Sequence, residues 1–211
     1  MKKSGCEDEG SFNITSKPLL LVLSGPSGAG KDAVLSRMKE LEVPLEFIVT
    51  VTTRRRRPEE KDGIAYHFIS EARFKEMIEA KELLEHANVY GNWYGVPKKP
   101  VKQALDRGRD VILKVDIQGA GTIKKILPQS VSIFLAAPSM QELTTRLRRR
   151  NTESKTDLAL RLQTAIEEMK SLHCFDYVVI SQQQKVDSVV ADIRAIITAE
   201  KLRLTFREYN L

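Results

Sequence analysis

The segment Leu19-Leu20-Leu21-Val22-Leu23-Ser24-Gly25-Pro26-Ser27-Gly28-Ala29-Gly30-Lys31-Asp32 decides how this 211-residue chain is read. An apolar run stops at a glycine-rich turn, a lysine follows, and a helical pattern begins at Ala33. This is the strand–loop–helix order of a phosphate-binding P-loop, G-x-x-x-x-G-K-[ST], with Asp32 in place of the final hydroxyl residue. Phosphates carry dense negative charge, so they need backbone N–H groups pointing inward, and glycine lets the chain curl that closely. The helix start contributes its positive dipole end, and Lys31 contributes a full charge. Residues Gly25 to Asp32 therefore read as a nucleoside-triphosphate site.

Outward from this loop, strands and helices alternate. Leu19–Ser24 is the continuous apolar strand of a buried parallel sheet. Ala33–Leu41 reads as a helix and Phe47–Val51 as the second core strand. Thr52–Val96 breaks the pattern and reads as an insertion, with strands at Tyr66–Ile69 and Leu83–Val89, a helix at Glu71–Ala80, and an aromatic-rich turn at Gly91–Gly95. Core strands resume at Val111–Val115, Val131–Leu135 and Tyr177–Ile180. Helices are predicted at Val101–Arg107, Ala120–Ile126, Leu158–Leu172 and from about Asp187, and a capping box at Ser139–Glu142 opens another running to about Arg149. Five parallel strands flanked by helices place ligands at the strands' carboxyl ends, where the P-loop also falls.

Composition narrows the class. The net charge of +6 concentrates at Arg54–Arg57 and Arg146–Arg150, a distribution that suits a polyanionic partner. Cys6 and Cys174 have neither metal nor disulfide spacing, and His67, His86 and His173 are scattered. No apolar run reaches membrane-spanning length, and the expected location is cytoplasmic. Aromatic residues do not interleave with the arginines, so nucleic acid is not expected as a partner.

Several ordered pieces then carry a resemblance: the P-loop, T-T-R-x-x-R from Thr52 to Arg57, G-x-x-Y-x-F from Gly63 to Phe68, G-N-W-Y-G from Gly91 to Gly95, V-D-I-Q-G from Val115 to Gly119, and R-N-T-E from Arg150 to Glu153. Together they resemble the guanylate kinase family over roughly residues 18–197. The resemblance implies a P-loop nucleoside monophosphate kinase fold in which residues 18–51, 97–147 and 162–204 form the core, 52–96 an acceptor-binding insertion and 148–161 a lid. Residues 1–17 and 205–211 are expected to be tails. It further implies that Arg54, Arg57, Tyr66 and Tyr94 hold the GMP phosphate, that Glu85 and Asp116 bind guanine with Thr50 helping at O6, and that ATP with Mg²⁺ is the phosphoryl donor. Lys31, Arg54, Arg146, Arg150 and Arg161 would neutralise charge during transfer.

The residue chemistry agrees. Guanine presents N1–H and an amine as neighbouring donors that a carboxylate accepts, and a site with buried acceptors can reject a base lacking them by roughly 10⁴. Three positions depart from the family pattern: Asp32 replaces a Mg²⁺-binding hydroxyl and is itself a hard oxygen ligand; Lys114 stands where an acidic residue is usual; and Val96 replaces a hydroxyl residue. The alternatives are a guanylate-kinase-like binding module and a kinase for another nucleoside. The intact P-loop argues against the first, and Glu85 with Asp116 against AMP in the second.

Overall fold

The computed structural model describes residues 17–149, 155–182, 184–205, 207–209 and 211, with backbone alone at 149, 155–159 and 161. At its centre lies β1 (Leu20–Ser24), buried along its whole length. Around it β2 (Glu46–Phe47), β7 (Val111–Lys114), β8 (Val131–Ala136) and β9 (Tyr177–Ile180) complete a five-stranded sheet in the order β2-β7-β1-β8-β9. Each pairing in it is parallel, as the alternation predicts.

Period two explains the unbroken apolarity of β1, because successive side chains face opposite sides of the sheet and both sides are covered. Leu19, Leu21 and Leu23 join one buried cluster with Val34 and Met38 of α1 (Lys31–Glu40) and with Val189, Val190 and Ile193 of α7 (Val186–Lys201). Leu20 and Val22 join the other, with Val101 and Leu105 of α3 (Lys98–Asp106) and Ala120 and Ile123 of α4 (Ile117–Ile126). A third cluster sits where α5 (Met140–Arg149) meets α6 (Lys155–Lys170), through Leu143, Leu147 and Ala165.

A second sheet, ordered β4-β3-β6-β5, is built from β3 (Val51–Thr52), β4 (His67–Phe68), β5 (Leu83–Val89) and β6 (Asn92–Pro97). Helix α2 (Glu71–Glu79) packs Phe74 and Met77 beneath it. Here two predicted elements change. The single strand expected over Phe47–Val51 divides: Phe47 pairs with Ile112 in the core sheet, while Val51 pairs with Gly95 and His67 in the second. Apolarity alone does not say which sheet a residue joins.

The turn expected across Gly91–Gly95 shrinks to Tyr90 and Gly91, both at positive φ, and Asn92–Pro97 forms a strand paired with β5. Gly95 lies inside that strand because Leu83 and Phe74 occupy the space beside its Cα; a Cβ there would sit 2.9 Å from Leu83 Cδ1. Helix α4 also starts earlier than predicted, at Ile117, because the Asp116 carboxylate caps it by accepting from Gly119 N–H at 2.8 Å.

Candidate active site

The P-loop joins β1 to α1 at the carboxyl edge of the core sheet. Gly25 passes so close to β8 that a Cβ would lie 2.2 Å from the Leu135 carbonyl oxygen, and its φ of 136° is one that side chains resist. Ala29 N–H closes the loop onto Pro26 O at 3.1 Å, and Gly30 opens α1. Lys31 Nζ folds back over the mouth of the loop, donating to Gly25 O and, at 3.1 Å, to Pro26 O. Behind the loop Arg146 donates to Ala29 O at 3.3 Å and Ser181 O at 2.6 Å, while Glu142 holds its Nε at 2.9 Å. Arg146 thus braces the loop from outside the cavity.

A cavity of about 200 Å³ runs from this loop to the second sheet. Of the predicted triphosphate residues, Gly25, Ser27, Gly28, Gly30, Lys31 and Asp32 line it; Pro26 and Ala29 shape the loop behind. All seven residues predicted for the acceptor also line it: Thr50, Arg54, Arg57, Tyr66, Glu85, Tyr94 and Asp116. Arg150 lies outside the described residues, as does the side chain of Arg161.

Along the middle of the cavity, Arg54 follows β3 and its backbone N–H bonds Thr52 Oγ1 at 3.1 Å. Its guanidinium sits 5.6 Å from the Tyr66 ring and 5.7 Å from that of Phe68, and Tyr66 meets Tyr94 edge-on at 5.8 Å. Glu60, which the sequence reading passed over inside a charged run, organises this corner. One oxygen accepts from Arg54 Nη2 at 2.7 Å, and the other accepts from the backbone N–H of Arg57 at 2.9 Å. Burial opposes ionisation of Glu60, yet Arg54 and the Arg57 N–H hold its carboxyl below the usual range. Two tethered guanidiniums beside two phenols suit a phosphate dianion.

At the far end, β5 and the start of α4 bring two carboxyl groups together. Glu85 is 5% exposed, and its Oε2 has no hydrogen-bond partner among the described residues. Gly119 makes the approach possible, since a Cβ there would lie 2.8 Å from Glu85 Oε2 and 3.0 Å from Asp116 Oδ1. Burial, helped by the charge of Asp116, pushes the Glu85 carboxyl up to about 8. Asp116 is also raised by burial, although the Gly119 N–H and Lys31 oppose the rise. A buried acceptor left unpaired is costly to folding. A ligand donating to it would remove that cost.

Two further charged residues line the cavity: Lys114, which the sequence left between contacting phosphate and pairing with a carboxylate, and Glu168, which it did not single out. Lys114, at the end of β7, bonds Asp32 Oδ1 at 2.6 Å. Glu168 of α6 faces the P-loop, where the Ser27 N–H donates to it. Burial foremost, with Asp116 adding to it, pushes its carboxyl up to about 7 against the pull of Lys31. Val96, by contrast, lies wholly in the apolar core, opposite Glu85 across the hairpin.

A parallel sheet with a P-loop at its carboxyl edge, opening on a cavity lined also by Arg54, Arg57, Tyr66 and Tyr94, defines a P-loop phosphotransferase of the nucleotide kinase class. The comparisons narrow this. Residues 17–200 match the guanylate kinase family, and the chain belongs to that family. It is 44% identical over 196 residues to guanylate kinase 2, chloroplastic/mitochondrial, of rice (Oryza sativa subsp. japonica), covering 92% of this chain and 69% of the relative. It is 45% identical over 193 residues to guanylate kinase of Caldanaerobacter subterraneus subsp. tengcongensis, covering 92% and 93%. The crystal structure of guanylate kinase from Anaplasma phagocytophilum superposes with a TM-score of 0.73 at 32% identity, over 90% of this chain and 89% of that one.

Proposed function

We infer that this chain is an ATP:GMP phosphotransferase. The observation that carries the reading is the buried Glu85–Asp116 pair, with a carboxyl oxygen that has no partner among the described residues, at the opposite end of one cavity from a P-loop. The pair fits the adjacent N1–H and amine donors of guanine, which adenine lacks. Arg54, Arg57, Tyr66 and Tyr94 fit the GMP phosphate, Thr50 the region of O6, and residues Gly25 to Asp32 the triphosphate of ATP.

With both substrates in place, an oxygen of the GMP phosphate attacks the γ-phosphorus in line. The bond from that phosphorus to the β,γ-bridging oxygen breaks, giving GDP and ADP. Little covalent chemistry falls to the protein; its residues align the phosphates and neutralise their charge. Lys31 and Arg54 approach from opposite sides; the lid expected over residues 148–161 falls partly outside the described residues, as do Arg150 and the side chain of Arg161.

The donor set fits Mg²⁺ arriving with the nucleotide. Among the described residues no three acidic, histidine or cysteine side chains cluster to hold a metal alone. Asp32, 68% exposed at the start of α1, would offer the ion a hard carboxylate oxygen. The bound ion would neutralise phosphate charge.

Residues 52–96 are proposed as the acceptor-binding insertion on a core formed by 18–51, 97–147 and 162–204. Cytoplasmic residence is the compartment that an exposed free Cys174 and these substrates support. Among the described residues no helix is long and apolar enough to cross a membrane.

The test is ADP production from ATP and Mg²⁺ with GMP, AMP, CMP and UMP as parallel acceptors. Turnover with GMP and not AMP is expected. GMP binding without turnover would favour a non-catalytic module, and preference for another acceptor would refute the assignment of Glu85.

A further inference from the structure

Lys114 stands outside the roles assigned so far. β7 delivers it from the sheet edge into the cavity, where its side chain is only 11% exposed. Its two close contacts belong to different halves of the site. Nζ bonds Asp32 Oδ1 at 2.6 Å, immediately after the P-loop lysine, and lies 4.0 Å from the centroid of Tyr66, a member of the acceptor-phosphate corner.

Stability does not account for a lysine at this place. One largely solvated carboxylate returns less than it costs to take an ammonium out of water, and an apolar residue would serve the fold as well. Position does account for it. The transferring phosphoryl group spreads its charge over three equatorial oxygens midway between donor and acceptor. Lys31 stands on the donor side and Arg54 on the acceptor side, while Lys114 touches both halves.

We propose that Lys114 is a catalytic residue of the transfer step, its ammonium passing from Asp32 onto the phosphoryl group in transit between the two nucleotides. A four-carbon stem bearing three donors can make that swing. The Asp32 carboxylate is largely solvated and gives up its partner at small cost. No proton moves: Lys114 keeps its charge while the attacking oxygen bonds to phosphorus and the bridging oxygen departs. The proposal rests on the ATP:GMP reading, and wild-type turnover with GMP, measured in the same series, tests that reading separately.

The experiment uses Lys114→Met, Lys114→Arg and the double variant Asp32→Asn/Lys114→Met. The probe is a two-headed inhibitor in which adenosine and guanosine are joined through a five-phosphate chain. Its Kd is measured by calorimetry in EDTA beside those of ADP and GMP, so that any metal role of Asp32 is absent. Lys114→Met is expected to lower kcat about 10²-fold with each KM within about threefold. Its loss of affinity for the two-headed inhibitor should exceed the combined losses for ADP and GMP by about tenfold or more, and Lys114→Arg should recover part of both effects. The double variant should bind the inhibitor as weakly as Lys114→Met does.

Three results would overturn the proposal. The first is a kcat for Lys114→Met within about fivefold of wild type. The second is recovery of inhibitor affinity in the double variant, which would make Lys114 a neutraliser of Asp32 and nothing more. The third is a loss carried entirely by GMP, which would confine Lys114 to the acceptor pocket. Thermal midpoints confirm folding, and Lys114→Arg carries the test where Lys114→Met unfolds.

Discussion

Glu85 offers the sharpest prediction because its environment and its proposed ligand demand opposite protonation states. Buried with Asp116 nearby, its carboxyl titrates near 8, so in the free protein at pH 7 only about one molecule in ten carries the charge there. Guanine brings two donors, which favour the ionised form. GMP binding must therefore expel a proton, and affinity must rise with pH. Between pH 7 and 8.5 the ionised fraction grows from about one-tenth to about three-quarters, so Kd should tighten about eightfold. Proton release should fall from about 0.9 to about 0.2 per GMP over the same range. The GMP phosphate loses its own proton near about pH 6 and stays clear of this window.

Calorimetry in buffers of different ionisation enthalpy measures both quantities. Glu85→Gln should bind GMP about 10- to 100-fold more weakly, with no pH dependence over this range. Stability supplies a second check with the opposite sign. A folded pKa near 8 against 4.5 means that stability is fully present below about 4.5 and is lost as pH climbs toward 8. The ceiling on that loss is on the order of 4–5 kcal/mol, so ligand-free Glu85→Gln should melt several degrees above wild type at pH 8.5 and near it at pH 5. A GMP affinity flat with pH, with no proton exchanged, would refute the reasoning.

Other expectations follow from single contacts. Gly119→Ala places a methyl 2.8 Å from Glu85 Oε2, so KM for GMP should rise about tenfold or more while ADP affinity holds, as steady-state kinetics and calorimetry would show. Glu168, pushed up to about 7, opposes incoming phosphates once ionised; Glu168→Gln should tighten ADP about three- to tenfold at pH 8 and hardly at all at pH 6. Asp176 accepts from Lys124 at 2.7 Å and from the backbone N–H and hydroxyl of Ser132 at 2.8 Å each, contacts that outweigh burial and hold its carboxyl below the usual range. Its contribution is present above about pH 4 and lost as pH falls through the lowered value, so Asp176→Asn should cost about 1–3 kcal/mol at pH 7 and progressively less in acid, read by denaturant titration.

The central core strands β1, β7 and β8 were legible because burial on both faces leaves a clear mark. β1 is apolar at both parities, and no surface strand could be. The second sheet was harder to read for the same reason reversed. Val51–Thr52 and His67–Phe68 are too short to show a period; they pair with each other, and only the first also pairs with β6 of the hairpin. Gly95 looked like a turn residue because glycine serves two purposes that sequence does not separate. In Gly91 it allows positive φ, whereas in Gly95 it makes room for Leu83 and Phe74.

The site shows a similar division. Lys31 could be picked out from the order of residues in its P-loop, and Arg54 only through the family resemblance that T-T-R-x-x-R helps to carry. Residues that act through other residues could not: Glu60 is one acid among many charges until Arg54 and the Arg57 N–H are seen to converge on it. Glu168 did leave a trace, since it falls in the stripe of α6 that carries Leu162 and Ala165 into the core, where a carboxyl needs a reason. Lys114 and Asp32 look like two unrelated departures in the sequence, 82 positions apart, and become one interaction at 2.6 Å in the fold. A lone Asp32 would repel the phosphates that the loop exists to bind. In the free protein the pair with Lys114 offsets that charge.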